Sequence, residues 1–274
     1  MAGMKRGPLL AAGAYLIWGV LPIYWHALAD VPAQEILIHR ILWSFGVVVL
    51  LLALRRQWRW LADGLRHPAV FRVFLVTAVL LAVNWLIYLW ANNNGHIVET
   101  SLGYFITPLV SVVLGLLVLR ERMRSGQWLS VGIAALGVLF LVLTAGGTLW
   151  ISLALALSFG FYGLLRKTAR LGSLEGLTVE MAILFLPALA YLLWLFSRGE
   201  AAFGATSVTT SALLAFSGVV TAVPLLLFAS GARLVPLTTL GLLQYIAPTM
   251  HFSIGVFLYH EPFDTPRLLG FSIV

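Results

Sequence analysis

Ionisable and amide side chains set inside long apolar runs are the residues of this sequence that could do chemistry. Arg40, beside His39, stands inside the run that ends at Leu54, and Glu180 inside the run that ends at Phe196. A charge at the centre of a membrane helix costs about 2.5–3.5 kcal/mol on insertion scales, so each needs a partner or a task. Glu99 opens one apolar run and Arg233 closes another. Together these charges predict two gate pairs, Arg40 with Glu99 and Glu180 with Arg233, that make and break as the molecule moves. The competing reading makes all four interfacial residues whose heads reach the lipid headgroups.

Deeper in the runs stand Asn84, Gln244 and His251, with Tyr88, Tyr104, Tyr162 and Tyr245 near them in the pattern. An amide facing hydrocarbon lacks partners, which favours Asn84 and Gln244 as cavity residues. The tyrosines either line such a cavity, where they would hold flat or cationic solutes, or belong to the core. His251 is a candidate proton carrier or a structural histidine. With Glu99 and Glu180 it completes the set of plausible proton sites. Pro108, Pro224 and Pro248 fall mid-run, where each interrupts the helix ladder as a hinge or a packing kink.

Other chemistries lack their residues. There is no cysteine, which removes disulfides, thiolate catalysis and Cys-ligated metals. No GxxxxGK[ST], HExxH or GxSxG motif occurs; His260-Glu261 is followed by Pro262 and no second histidine. Neither a catalytic set, a metal site nor a cofactor motif is expected.

The elements that must position these residues follow from composition. The chain is 61% hydrophobic and 10% charged, against about 25% charged in soluble domains, so it is read as an integral membrane protein. The net charge of +7 does not imply nucleic acid, because the basic residues sit between apolar runs rather than on one face. At about 20 residues per crossing, spans are expected near 8–27, 34–54, 70–91, 97–119, 128–145, 148–166, 175–196, 210–231 and 236–259. A tenth begins at Leu268, where the seven residues to Val274 rise only about 10 Å, so it is expected to be incomplete in this chain. Lys5, Arg6 and Ala27-Leu28-Ala29 imitate a secretory signal, but the run between them is long and carries Trp18, Pro22, Tyr24 and Trp25; an uncleaved first span is expected. With the N-terminus inside, 14 of the 17 Lys and Arg residues fall on the cytoplasmic side, which is the positive-inside bias. Residues 55–67 mix arginines with Trp58 and Trp60 and read as an amphipathic piece on the cytoplasmic leaflet. Ser111 with Gly115, and Gly218 with Ala222, are small-residue pairs suited to close helix crossings.

The sequence also repeats. A shift of 140 residues places Pro108 on Pro248, Gly115 on Gly255, Glu121 on Glu261, Leu102 on Leu242, Glu35 on Glu175 and Arg40 on Glu180; a shift of 141 places Trp18 on Phe159. One register held over separated segments predicts two related halves, 1–146 and 147–274. Each half holds five spans, an odd number, so the copies enter the membrane from opposite sides. Inverted repeats of this kind allow a structure to open to either face in turn.

The residues resemble the EamA group of the drug/metabolite transporter superfamily, and within it the RarD-type permeases, over nearly the whole chain. The general signature is Pro108, Glu121, Gln127-Trp128, Gly132 and Gly137-Val138. More specific are WGVLPIYW from Trp18, HRILWS from His39, NWLIYLWAN from Asn84, ETSLGYF from Glu99, SFGFYGLLRK from Ser158 and LGLLQYIAPT from Leu240. The resemblance implies an all-α fold of ten helices as two inverted five-helix repeats around a central cavity, and export or exchange of small metabolites or drugs. The RarD name is attached to chloramphenicol sensitivity, a phenotype that leaves the solute open. Asn84, Tyr88, Asn92 and Tyr104 are expected to face the cavity, with Gln244 and Tyr245 opposite, and no catalytic residues carry over.

The favoured reading is a secondary transporter of the bacterial inner membrane, with a small organic solute and membrane lipid as partners and protons as one candidate driving ion. A channel would want a continuous polar helix face, which these runs lack. The rival from another class is a non-transporting membrane protein, such as a lipid-modifying enzyme or an assembly scaffold.

Overall fold

Runs of twenty or more apolar residues leave the backbone one way to satisfy its own N–H and C=O groups in lipid, and the chain takes it. A computed structural model describes residues 2–56, 58, 60, 67–145 and 149–259, without the side chains at 2–5, 93, 97, 144 and 145. The helices are α1 (Ala2–His26), α2 (Ala33–Arg55), α3 (Pro68–Asn93), α4 (Ile97–Leu117), α5 (Ser125–Ala145), α6 (Leu149–Thr168), α7 (Ser173–Arg198), α8 (Val208–Leu234), α9 (Leu237–Gln244) and α10 (Ile246–Phe257). Nine spans among the described residues are long and apolar enough to cross a membrane, α9 and α10 together forming the ninth. Most of the interfacial piece expected over 55–67, together with Glu261 and the expected tenth span, lies outside the described residues.

Local chemistry sets the ends. Pro68 occupies the first turn of α3, where its missing N–H costs nothing. Gly199 ends α7 at φ 68°, a left-handed conformation that suits a residue without Cβ. Ser207 caps α8 by accepting from the Thr210 N–H. The ninth span breaks at Tyr245, and Pro248, three residues on, has no N–H to offer the Gln244 carbonyl.

The main helix contacts recur when first-half helices are exchanged for second-half ones. The α4–α6 contact is matched by α1 against α9 and α10, α1–α8 by α6–α3, and α2–α8 by α7–α3, while α2–α7 and α4–α9 map onto themselves. Two pairs of repeat-related residues touch. Trp18 and Phe159 meet edge to face at 5.8 Å between ring centroids. Tyr245 donates its hydroxyl to the Phe105 carbonyl at 3.3 Å. Residues related by a two-fold meet only near its axis, so these contacts mark the line about which the copies are inverted.

Close crossings make this possible. A Cβ on Gly218 would lie 2.3 Å from the Trp43 carbonyl carbon and 2.6 Å from the Ser44 nitrogen, so α2 and α8 touch backbone to backbone; Ser44 adds a hydrogen bond to the Gly218 carbonyl at 3.1 Å. A Cβ on Gly241 would lie 2.7 Å from the Pro108 carbonyl oxygen. Both glycines admit the van der Waals contact on which helix association in lipid rests.

Candidate functional site

The interior between the halves holds a row of polar and aromatic groups. Tyr104 meets Tyr88 edge to face at 5.9 Å and His251 at 6.0 Å. The His251 Nε2 lies 2.9 Å from the Trp18 carbonyl oxygen. Tyr104 is 40% exposed, yet Val113, 49% exposed on the same helix, stands nine residues further on. At about 100° per residue that places the two on opposite sides of α4. The exposed surface of Tyr104 therefore faces an internal space, not the lipid side that Val113 takes.

Arg40 enters the same region from α2. Its Nε donates to the Thr221 hydroxyl on α8 at 3.1 Å, and its guanidinium carbon lies 5.0 Å from the Trp25 ring centroid and 4.7 Å from that of Trp85. The phenols of Tyr104, Tyr88 and Tyr24 are within electrostatic reach of it. Four helices thus converge on one cation.

The remaining expected cavity residues mostly tie helices together. Asn84 donates to the Leu155 carbonyl at 3.0 Å and to Ser158 at 2.9 Å, joining α3 to α6. Asn92 donates to the Tyr88 carbonyl at 2.9 Å and accepts from Thr100 at 3.4 Å. Gln244 is buried at the break between α9 and α10, and Tyr245 packs on Phe105 across the axis.

The expected gate pairs take other partners. Glu99 faces His96 of its own first turn at 3.2 Å, while Arg40 turns to Thr221 and the indoles. Glu180 is fully buried against Arg166, 3.7 Å away, and accepts from Tyr162 at 3.3 Å. Arg233 instead donates to the Ala169 and Leu171 carbonyls at 2.7 and 2.8 Å, closing the end of α6. Arg166, at the cytoplasmic end of the span expected over 148–166, lies within the last turn of α6 and packs over Gly176 and Phe74 of its neighbours, which brings it to Glu180 ahead of Arg233.

Two further carboxylates bind backbone across the halves. Glu35, 1% exposed, accepts from the Ala202 and Phe203 N–H groups at 2.8 and 3.0 Å, and His39 stacks on Phe203 at 4.8 Å. Glu121 accepts from Leu237 at 2.7 Å and Thr238 at 2.8 Å at the start of α9, where the helix dipole favours negative charge. Lys167 lies 3.9 Å from it. Glu35 joins one end of the bundle and Glu121 the other. Residue 35 was visible in the sequence only as a member of the repeat register, and residue 121 there and in the family signature.

Inverted helical halves enclosing a polar interior define a polytopic membrane protein with the drug/metabolite transporter fold. Residues 5–143 match the EamA-like transporter family. The chain is 48% identical to the protein RarD of Streptomyces exfoliatus over 98% of this chain and 86% of that one. It is 44% identical to the uncharacterized transporter YojE of Bacillus subtilis strain 168, over 100% and 92%. A solved crystal structure shares the fold with a TM-score of 0.72 at 18% identity, over 97% of this chain and 93% of its own. The chain belongs to the EamA-like transporter family and is a RarD-like permease.

Proposed function

We propose that this transporter is a secondary carrier of the bacterial inner membrane, N-terminus in the cytoplasm, that moves a small organic metabolite or drug by alternating access in export or exchange. Residues 1–146 and 147–274 are the units that rock. The observation carrying this reading is the exchange-symmetric packing about the Trp18–Phe159 and Phe105–Tyr245 contacts, with Arg40, Tyr88, Tyr104 and His251 gathered around the interior. An inverted pair of this kind can present one site to either face with similar energy. Asn84, Asn92, Gln244 and Tyr245 hold the walls of that site. Glu99, Glu180 and His251 are the groups available for proton coupling, and Arg233 fixes the inner end of α6 during the motion. Membrane lipid surrounds the bundle, and nucleic acid has no role.

The test is reconstitution. Liposomes carrying the purified protein are loaded with a defined mixture of organic acids, their amides and their amines, with chloramphenicol among the neutral solutes, and efflux is followed by mass spectrometry. At least one solute is expected to leave saturably and to exchange against its external counterpart. In parallel, Tyr104→Cys is expected to react with a membrane-impermeant thiol reagent from both faces. Absence of protein-dependent flux for every solute, with the cysteine reached from one face only, overturns the reading.

A further inference from the structure

We propose that Arg40 is the anchor for a carboxylate on the transported solute, so that the site selects small organic monoanions with a flat or aromatic body. The inference rests on the transporter reading and adds the substrate class. Its observation is the way the guanidinium is used. The Nε is spent on Thr221, and the guanidinium carbon lies over the Trp25 and Trp85 rings, which attract the cation without supplying a carboxylate or carbonyl acceptor for its N–H groups. The terminal nitrogens have no acceptor among the described residues, and they are absent from the enclosed polar atoms that lack partners; solvent therefore reaches them. No Asp or Glu oxygen pairs with Arg40 among the ion pairs of the described residues.

A purely structural arginine at this depth would be expected to meet a carboxylate of the protein, as Arg166 meets Glu180. Arg40 keeps its terminal nitrogens free within electrostatic reach of Tyr88 and Tyr104, and that fork matches the two oxygens of a carboxylate. One guanidinium neutralises one negative charge, which favours a monoanion over a phosphate ester. The indoles and phenols around it supply stacking surface for the rest of the molecule.

The experiment uses purified full-length protein in detergent at constant ionic strength. A matched set is titrated: phenylacetate, phenylacetamide, phenethylammonium and phenyl phosphate, with a second set built on short aliphatic acids and their amides. Tryptophan fluorescence, to which Trp25 and Trp85 contribute, and the thermal unfolding midpoint are both recorded. Carboxylates are expected to bind at least tenfold more tightly than the isosteric amides. Arg40→Gln is expected to abolish that preference, and Arg40→Lys to retain part of it. Thr221→Val, which removes the acceptor that orients the fork, is expected to weaken carboxylate binding severalfold without affecting the amides. Equal affinity of acid and amide for the wild type, tighter binding of phenyl phosphate or the amine, or no binding of any carboxylate overturns the proposal, and none of these outcomes depends on a variant folding. Transport of a neutral or cationic solute at wild-type rate by Arg40→Gln would sink the anion site while leaving the transporter reading intact. Carboxylate binding without flux in liposomes would do the reverse.

Discussion

Removing one member of the Arg166–Glu180 pair should cost far more than removing both. Arg166 is 1% exposed and Glu180 fully buried; Arg166 Nε and Nη1 and Glu180 Oε1 are enclosed with no hydrogen-bond partner, leaving Nη2 bonded to the Ser173 carbonyl at 2.8 Å. Breaking such a buried pair from one side typically costs about 3–5 kcal/mol, because the remaining charge is left without compensation. The 3.7 Å separation is long for a charge-assisted hydrogen bond, so Glu180→Leu is placed at the lower end, about 3 kcal/mol. Arg166→Met is expected to cost roughly 1–2 kcal/mol, since a lone carboxyl can take up a proton and stay neutral. The double variant, with nothing left to desolvate, should lie within about 1 kcal/mol of the wild type. The resulting coupling energy is about 3–5 kcal/mol, well above the few tenths seen between independent sites. Unfolding of the four proteins in mixed micelles at increasing dodecyl sulfate, followed by tryptophan fluorescence, gives the numbers. A double variant as unstable as the sum of its parents would refute the reasoning. The same double variant, if folded, also separates structure from transport. Loss of flux with stability retained makes Glu180 a coupling residue, and wild-type flux makes the pair a clamp.

Three other outcomes are expected. Glu121→Gln keeps the size of the side chain but replaces one acceptor oxygen with a donor that faces a backbone N–H. A loss of about 1.5–3 kcal/mol is expected, the range for a hydrogen bond to a charged group, read from the same micelle titration; a change under about 0.5 kcal/mol, the usual range for an uninvolved surface site, would remove Glu121 as the tie between the α4–α5 corner and α9. Gly218→Val drives side-chain atoms into the Trp43–Ser44 backbone and should prevent α2 and α8 from closing, seen as loss of the monodisperse peak in size-exclusion chromatography, whereas Ala215→Val on the same helix should leave that peak in place. Because the chain has no cysteine, Arg122→Cys and Ala205→Cys report topology directly. The residues follow four and seven helices respectively, so an impermeant thiol reagent should label them from opposite faces of sealed vesicles, and labelling from the same face would contradict the span order.

The span pattern was legible because the bilayer imposes one length scale and one backbone conformation, and the repeat register added topology that hydropathy cannot supply. Residues that the register makes equivalent also meet in the fold. Trp18 and Phe159, aligned by sequence shift alone, are packed against each other, as are Phe105 and Tyr245. Partner choice was less legible. Pairing Arg40 with Glu99 and Glu180 with Arg233 used sign and depth, and neither reports the direction a side chain takes round its helix. Arg166 stands beside Lys167 and Arg170 at the cytoplasmic end of its span, and only the last turn of α6 carries it inward. Trp25 and Trp85 stand in the resemblance motifs but nothing there marked them as partners of Arg40, and Thr221 gave no signal, since threonine in an apolar run is ordinary. Only the convergence of α1, α2, α3 and α8 makes them one site.

Positions 40 and 180 show how duplication and divergence divide the work in this fold. Each lies seven residues into its helix, about 10 Å from opposite faces of the bundle, and the repeat register makes them equivalents. One is a cation whose terminal nitrogens remain open to the interior; the other is a carboxylate sealed by Arg166 and Tyr162. A two-fold axis constrains backbone geometry from both sides at once, which is why a bulkier residue at a crossing such as Gly218 would disturb more than its own contact. It places no such constraint on charge. A carrier must present its site to each face in turn, so the geometry has to be duplicated, but it binds one solute at a time and needs the recognition chemistry only once. Restoring the symmetry in charge, by Glu180→Arg, would place a second cation beside Arg166 in a site with no anion. That change should be tolerated far less well than Arg40→Gln, and comparing the folded yields of the two variants tests the asymmetry directly.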